Sequence, residues 1–261
     1  MRYFLLGVFV VAIVSLFRKI WVKSGWKSPN DEFPDEWKSI LSKEIGHYNF
    51  LNPDDKTLFE FKIQEFLLNV KVTGVSTTID VTDKLLVAVS AITPIFAFPK
   101  WQYTNLDEVL IYPNSFNEEY QTEGSDRNIL GMVGTGPMNG KMILSKQALE
   151  LGYKNGKDGH NTAIHEFVHL LDKADGATDG LPKLFLDKDH EVEWGEMIDK
   201  EIDAILLNKS DINPYGATNK AEFFAVSSEY FFERPKLLAK KHPELYKLLA
   251  MVFHNDMQYR E

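Results

Sequence analysis

The chain has 261 residues, no cysteine, and 29 Lys+Arg against 38 Asp+Glu for a net charge of −9. That length suits one large domain, or one domain plus an appendage. The acidic balance argues against polyanion binding, so nucleic acid is set aside as a partner. Without cysteine there are no disulfides, no thiolate chemistry and no Cys-type zinc site, and any metal must be held by histidine and carboxylate.

At the amino terminus, "MRYFLLGVFVVAIVSLFRKIWVK" is uncharged from Tyr3 to Phe17 and then meets Arg18 and Lys19. At 1.5 Å per residue the uncharged run spans roughly 22 Å, which snorkelling Arg18 and Lys19 and the interfacial Trp21 and Trp26 extend towards the roughly 30 Å of a bilayer. Residues 1–23 read as an uncleaved transmembrane anchor in preference to a signal peptide, because no small-x-small cleavage site follows. Arg18, Lys19, Lys23 and Lys27 outnumber Arg2, so the positive-inside rule predicts a membrane-anchored, single-pass protein with its body in the cytoplasm. Residues 24–34, polar with Pro29 and Pro34, read as a linker, and the folded domain is expected over 35–261.

Helical periodicity is predicted for 35–46 and for 54–69, the latter with Leu58, Phe61, Ile63, Phe66 and Leu67 on one side. "VTGVSTTID" reads as β-rich, and 83–96 as a helix broken near Pro94. "EVLIYP" and "KMILS" read as short strands, the second a candidate edge to which an extended peptide would add. Between them the polar stretch 114–140 reads as a lid or a disordered insertion, and its "GTGPMNG" has the wrong glycine spacing for a dinucleotide site. Helices dominate from 161 onwards.

The chemistry concentrates in "NTAIHEFVHLLDKADG", residues 161–176. At 100° per residue Ile164, Phe167, Val168 and Leu171 form an apolar stripe, and His165, Glu166, His169 and Asp172 form an opposite face offered outwards. His165 and His169, one turn apart, aim both imidazoles at one zinc ion, and Glu166 sits where it takes a proton from metal-activated water and passes it to a leaving amine. The alternative is a solvated helix that carries two histidines by chance. No histidine follows in the long metzincin register, so a third ligand has to be a carboxylate from a later helix. Glu222, Glu229 and Glu233 share one stripe within 212–235. Asp172 and Glu229 are candidates for orienting a ligand imidazole. His160 points away from His165, and His47, His190, His242 and His254 have no spaced partners.

The segments "VLIYPNSF", "HNTAIHEFVHLLDKADG" and "PYGATNKAEFFAVSSEYFFERPKLL", in this order, resemble the Mlc titration factor A family of zinc-dependent peptidases over most of the chain after residue 35. The resemblance implies an α+β, zincin-like metallopeptidase, mostly helical with a small sheet, preceded here by the N-terminal membrane helix. It implies one Zn2+ per chain held by His165, His169 and Glu222, with Glu166 as the catalytic base. It also implies a catalytic role for Tyr215, whose phenol remains a hydrogen-bond donor at neutral pH and would steady the transition state. Trimming of amino termini and internal cleavage both stay open. "INPYGA" and Asn219-Lys220 depart from the family's commoner residues around the Tyr215 loop and the start of the next helix, leaving the ligands untouched. The family's name implies an alternative, a regulatory binding protein that sequesters a transcriptional repressor, with zinc mainly structural. The expected partners are therefore a peptide or protein substrate, a transcriptional repressor on the alternative reading, and the membrane.

Overall fold

A computed structural model describes residues 25–254 except 125, 157 and 187, so the predicted anchor at 1–23 lies outside the described residues. Among those described, no helix is long and apolar enough to cross a membrane.

Helix starts follow local capping chemistry. Helix α1 (Asp35–Glu44) carries Asp35 and Glu36 in its first turn, against the positive end of the helix dipole. In α2 (Pro53–Asn69), Asn52 accepts the Asp55 N–H and Pro53 occupies the first position, where no N–H is needed. The buried face of α2 runs through Phe59, Ile63 and Phe66, whereas Phe61 is 38% exposed. Two residues from Phe59, Phe61 points about 200° away and cannot share that face, which corrects the expected stripe. Helix α3 (Val81–Ile95) opens with a reciprocal Asp80–Asp83 capping box and ends one residue after Pro94, near the predicted break.

Four strands, β1 (Lys71–Gly74), β2 (Glu108–Tyr112), β3 (Gly131–Val133) and β4 (Lys141–Ser145), form one sheet in the order β1-β2-β4-β3. The β1–β2 and β2–β4 pairs are parallel and β3–β4 is antiparallel. "KMILS" is therefore an inner strand, and its buried run from Met142 to Ser145 is what a strand covered on both faces requires. The edge next to it is β3, from within the stretch expected to be a lid or insertion. That stretch also holds a Phe116–Ile129 bridge and a 3-10 turn at Gly136–Met138.

Helices α4 (Lys146–Lys154), α5 (Thr162–Asp172), α6 (Glu191–Leu206), α7 (Lys220–Glu233), α8 (Pro235–Lys241) and α9 (Pro243–Val252) complete the chain, giving a mostly helical protein with a small mixed sheet. Helix α5 lies among α3, α4, α7 and β3. It is buried on both faces, including His165, Glu166 and Asp172, so the polar face is covered by protein rather than offered to solvent. On α7, the rings of Phe224 and Phe231 pair with aromatics outside α5. Phe224 lies 5.5 Å from Trp194 and Phe231 lies 5.3 Å from Tyr246, between ring centroids, and both meet Phe253. These rings fasten α7 to α6 and the C-terminal helices, which turns its carboxylate stripe towards α5.

Candidate metal centre

Asn161 caps α5 by accepting the Ile164 N–H, and from there the 3.6-residue period places His165 and His169 one turn apart with ring centroids 4.7 Å apart. Asn219 caps α7 in the same way, accepting the Glu222 N–H, so Glu222 enters in the first turn of its helix. The two helices pack against each other and bring three donor atoms together. His165 Nε2 is 2.9 Å from Glu222 Oε2, His169 Nε2 is 3.1 Å from His165 Nε2, and His169 Nε2 is 3.4 Å from Glu222 Oε2. Zinc bonds near 2.0–2.1 Å imply tetrahedron edges of about 3.3 Å, so the triangle has the size of one tetrahedral face.

The hydrogen bonds around the triangle fix its chemistry. His165 Nδ1 donates to Glu229 Oε1 at 2.7 Å, one heptad beyond Glu222 on the same stripe. That bond leaves Nε2 as the lone-pair side of a neutral ring, facing a carboxylate oxygen and a second imidazole nitrogen. Three acceptors this close repel unless a proton or a cation lies among them. In the absence of an ion, burial opposes charge on His165, yet the carboxylates of Glu222 and Glu229 overrule it and raise its pKa to about 10. Burial likewise opposes ionisation of Glu222, and the hydrogen bonds of His165 and His169 reverse that, lowering it to about 2. The pocket thus favours positive charge, and a divalent cation satisfies the same donors. The residues fit a metal.

Glu166 is buried beside the triangle, and burial raises its carboxyl pKa, partly offset by His165 and His169. It ligates nothing in the triangle, and β3 presses upon it. A Cβ at Gly131 would lie 2.6 Å from Glu166 Cγ and 2.9 Å from Thr162 Cγ2, so only glycine allows the edge strand this close. Tyr215 sits in a 3-10 turn, Pro214–Ala217, with its ring centroid 6.1 Å from that of His165 and 54% of its surface exposed. Burial and the charges of Glu222 and Glu166 raise its phenol pKa, so it stays a donor. All five predicted site residues therefore meet in one place.

Other sequence expectations divide. Glu229 orients His165, as one candidate reading had it. No hydrogen bond joins Asp172 to His169: Asp172 Oδ2 accepts the Gly180 N–H at 2.8 Å, while its Oδ1 and His169 Nδ1 are both buried without a hydrogen-bond partner among the described residues. Burial raises the Asp172 pKa to about 6. Glu233 takes the N–H groups of Gly159 and His160 at 2.9 and 3.0 Å, just before α5. His242 is no isolated histidine, since it bridges Glu201 and Asp211 at 3.0 and 2.8 Å. Asp211 also accepts from Tyr230 of α7, which ties the start of the Tyr215 loop to the ligand helix. This clamp and Gly131 escaped the sequence reading because their partners are far away in the chain and follow no helical spacing.

The sequence pattern of the family described as glucose-regulated metallo-peptidase M90 matches residues 18–254. An uncharacterised protein of Synechocystis sp. is 30% identical over 95% of this chain and 96% of its own length. Mlc titration factor A of Pectobacterium atrosepticum is 32% identical over 57% of this chain and 59% of its own length, and that of Yersinia pestis is 30% identical over 62% and 65%. The chain thus matches less than two thirds of the length of these two named relatives. With a match over nearly all the described residues, and a His/His/Glu cluster able to hold a metal, the chain belongs to the M90 metallopeptidase family and is akin to the Mlc titration factors A.

Proposed function

We propose that the protein is a zinc-dependent peptidase in which His165, His169 and Glu222 hold the ion, Glu166 moves the proton and Tyr215 steadies the developing oxyanion. The observation that carries this reading is the placement of a buried, non-ligating Glu166 beside three donors with tetrahedral edge lengths. When bound, zinc supplies a Lewis acid that activates water and polarises a peptide carbonyl. Glu166, its pKa raised by burial, is suited to accept the proton of the attacking water and deliver it to the departing amine nitrogen. The Tyr215 hydroxyl, half exposed at the rim, donates to the carbonyl oxygen as negative charge builds there. Glu229 fixes the tautomer and angle of His165 throughout. The edge strand β3 offers backbone groups to an extended substrate, a part expected of "KMILS" that the sheet order transfers to 131–133.

The name of the Mlc titration factor A relatives supports a second reading, capture of a transcriptional repressor with zinc as fold support. Glu166→Gln separates the two. On the peptidase reading the full-length variant keeps its zinc and loses cleavage of a mixed peptide library by about a thousandfold or more. Zinc bound equally by both forms, with no cleavage by either, would leave capture as the surviving reading. An anchor at 1–23 holding the domain at the inner face of a membrane belongs to the same proposal and rests on the uncharged run from Tyr3 to Phe17 and the cations that flank it.

A further inference from the structure

Beside the metal centre lies a cavity of about 360 Å³ lined by Leu130, Ala148, Leu151, Gly152 and Thr162, with Gln147, Asn155, Asp158 and His160 completing its wall. Leu130 and Leu151 face solvent through 45% and 47% of their surface although both lie in this concavity. Thr162 is one helical turn before Glu166, and both abut Gly131, so the cavity opens next to the proton-transfer carboxylate rather than at a distant surface. Leu130 directly precedes β3, which places one wall of the cavity in line with the edge strand.

Direction follows from the strand. β3 starts at Gly131 beside the first turns of α5 and ends near Gly134, whose carbonyl accepts Lys173 Nζ past the other end of α5. A peptide pairing antiparallel to β3, the more stable pairing, has its N-terminal part near Gly134 and its C-terminal part near Leu130. Glu166 lies at the Leu130 end, where a group that protonates the departing amine belongs, because that amine heads the C-terminal product.

Resting on the peptidase reading, we propose that this cavity is the subsite for the side chain immediately after the scissile bond, and that it selects branched aliphatic or aromatic side chains. Two leucines and an alanine supply its apolar wall, alongside the polar Gln147, Asn155, Asp158, His160 and Thr162. An apolar wall of this kind discriminates against small side chains through lost burial.

The test maps cleavage sites in a random peptide library by mass spectrometry, using the zinc-loaded full-length protein and its Ala148→Phe and Leu151→Asp variants. The expected result is cleavage before Leu, Ile or Phe, with both variants losing that preference roughly tenfold or more in favour of Gly and Ala. An unchanged preference in both variants, or a preference residing before the bond instead, overturns the subsite. A binding measurement keeps this separate from the peptidase reading. Fluorescein-labelled Ala-Ala-Ala-Leu-Ala-Ala and its Gly counterpart are titrated by polarisation against Glu166→Gln, alone and combined with Ala148→Phe. If the wild type cleaves nothing, the peptidase reading fails, yet tighter binding of the Leu peptide that Ala148→Phe erases still supports the cavity. Equal binding of the two peptides overturns it.

Discussion

Glu229 shows how much of the centre depends on one residue that touches no ion. Its carboxylate receives both the His165 Nδ1–H and the Asn161 N–H, at 2.7 and 2.6 Å, so it aims a ligand ring and anchors the start of the helix that carries it. Glu229→Gln keeps an acceptor and removes the charge, and zinc affinity measured by competition with a chelator should fall by roughly tenfold or more while the fold survives. Tyr215 acts at the opposite stage. Tyr215→Phe should retain the zinc and lose about a hundredfold in kcat, since only a transition-state donor is removed. A comparable loss of metal in that variant would make Tyr215 a structural neighbour instead. His165, raised to about 10 by its carboxylate partners, must give up a proton to bind a metal.

At the scale of elements, the centre depends on the fit of α5 to α7, and Gly180 sets that fit. Its N–H serves Asp172 at the end of α5, its carbonyl accepts Trp194 Nε1 of α6, and a Cβ there would lie 2.3 Å from the Lys220 carbonyl that begins α7. With φ at +76° the position also disfavours any side chain. Gly180→Ala should therefore push α7 outward, lowering zinc affinity and thermal stability together, a pairing that calorimetry and metal titration can check. These elements also show what the sequence displays. The i, i+4 histidines and the Glu222, Glu229 and Glu233 stripe were legible because helical spacing is local. The strand order was not, because "KMILS" alone says nothing of a neighbour ten residues upstream that pairs outside it. The Asp172–Gly180 bond was equally hidden, and the covered face of α5 looked solvent-bound because its cover, α7, lies some fifty residues on.

For the molecule as a whole, the carboxylates buried around α5 tie stability to pH. Burial foremost raises Glu233 from 4.5 to about 8, against the two N–H groups it accepts. The folded chain then holds a proton that the unfolded chain releases between about pH 4.5 and 8, so this residue's contribution to stability declines as pH rises through that window. Glu233→Gln should melt with a flatter pH profile between pH 5 and 8 and above the wild type at pH 8. A parallel pair of profiles would place the burden on another group. The distance in sequence between α5 and α7 has one more result, for the order in which the protein is made. A growing chain that has emerged through His165 and His169 but not Glu222 carries two donors and no third, and the stripe that orients His165 is still unsynthesised. The ribosome therefore delivers α5 long before its metal-holding partner α7, and the centre closes only when the last third of the polypeptide docks.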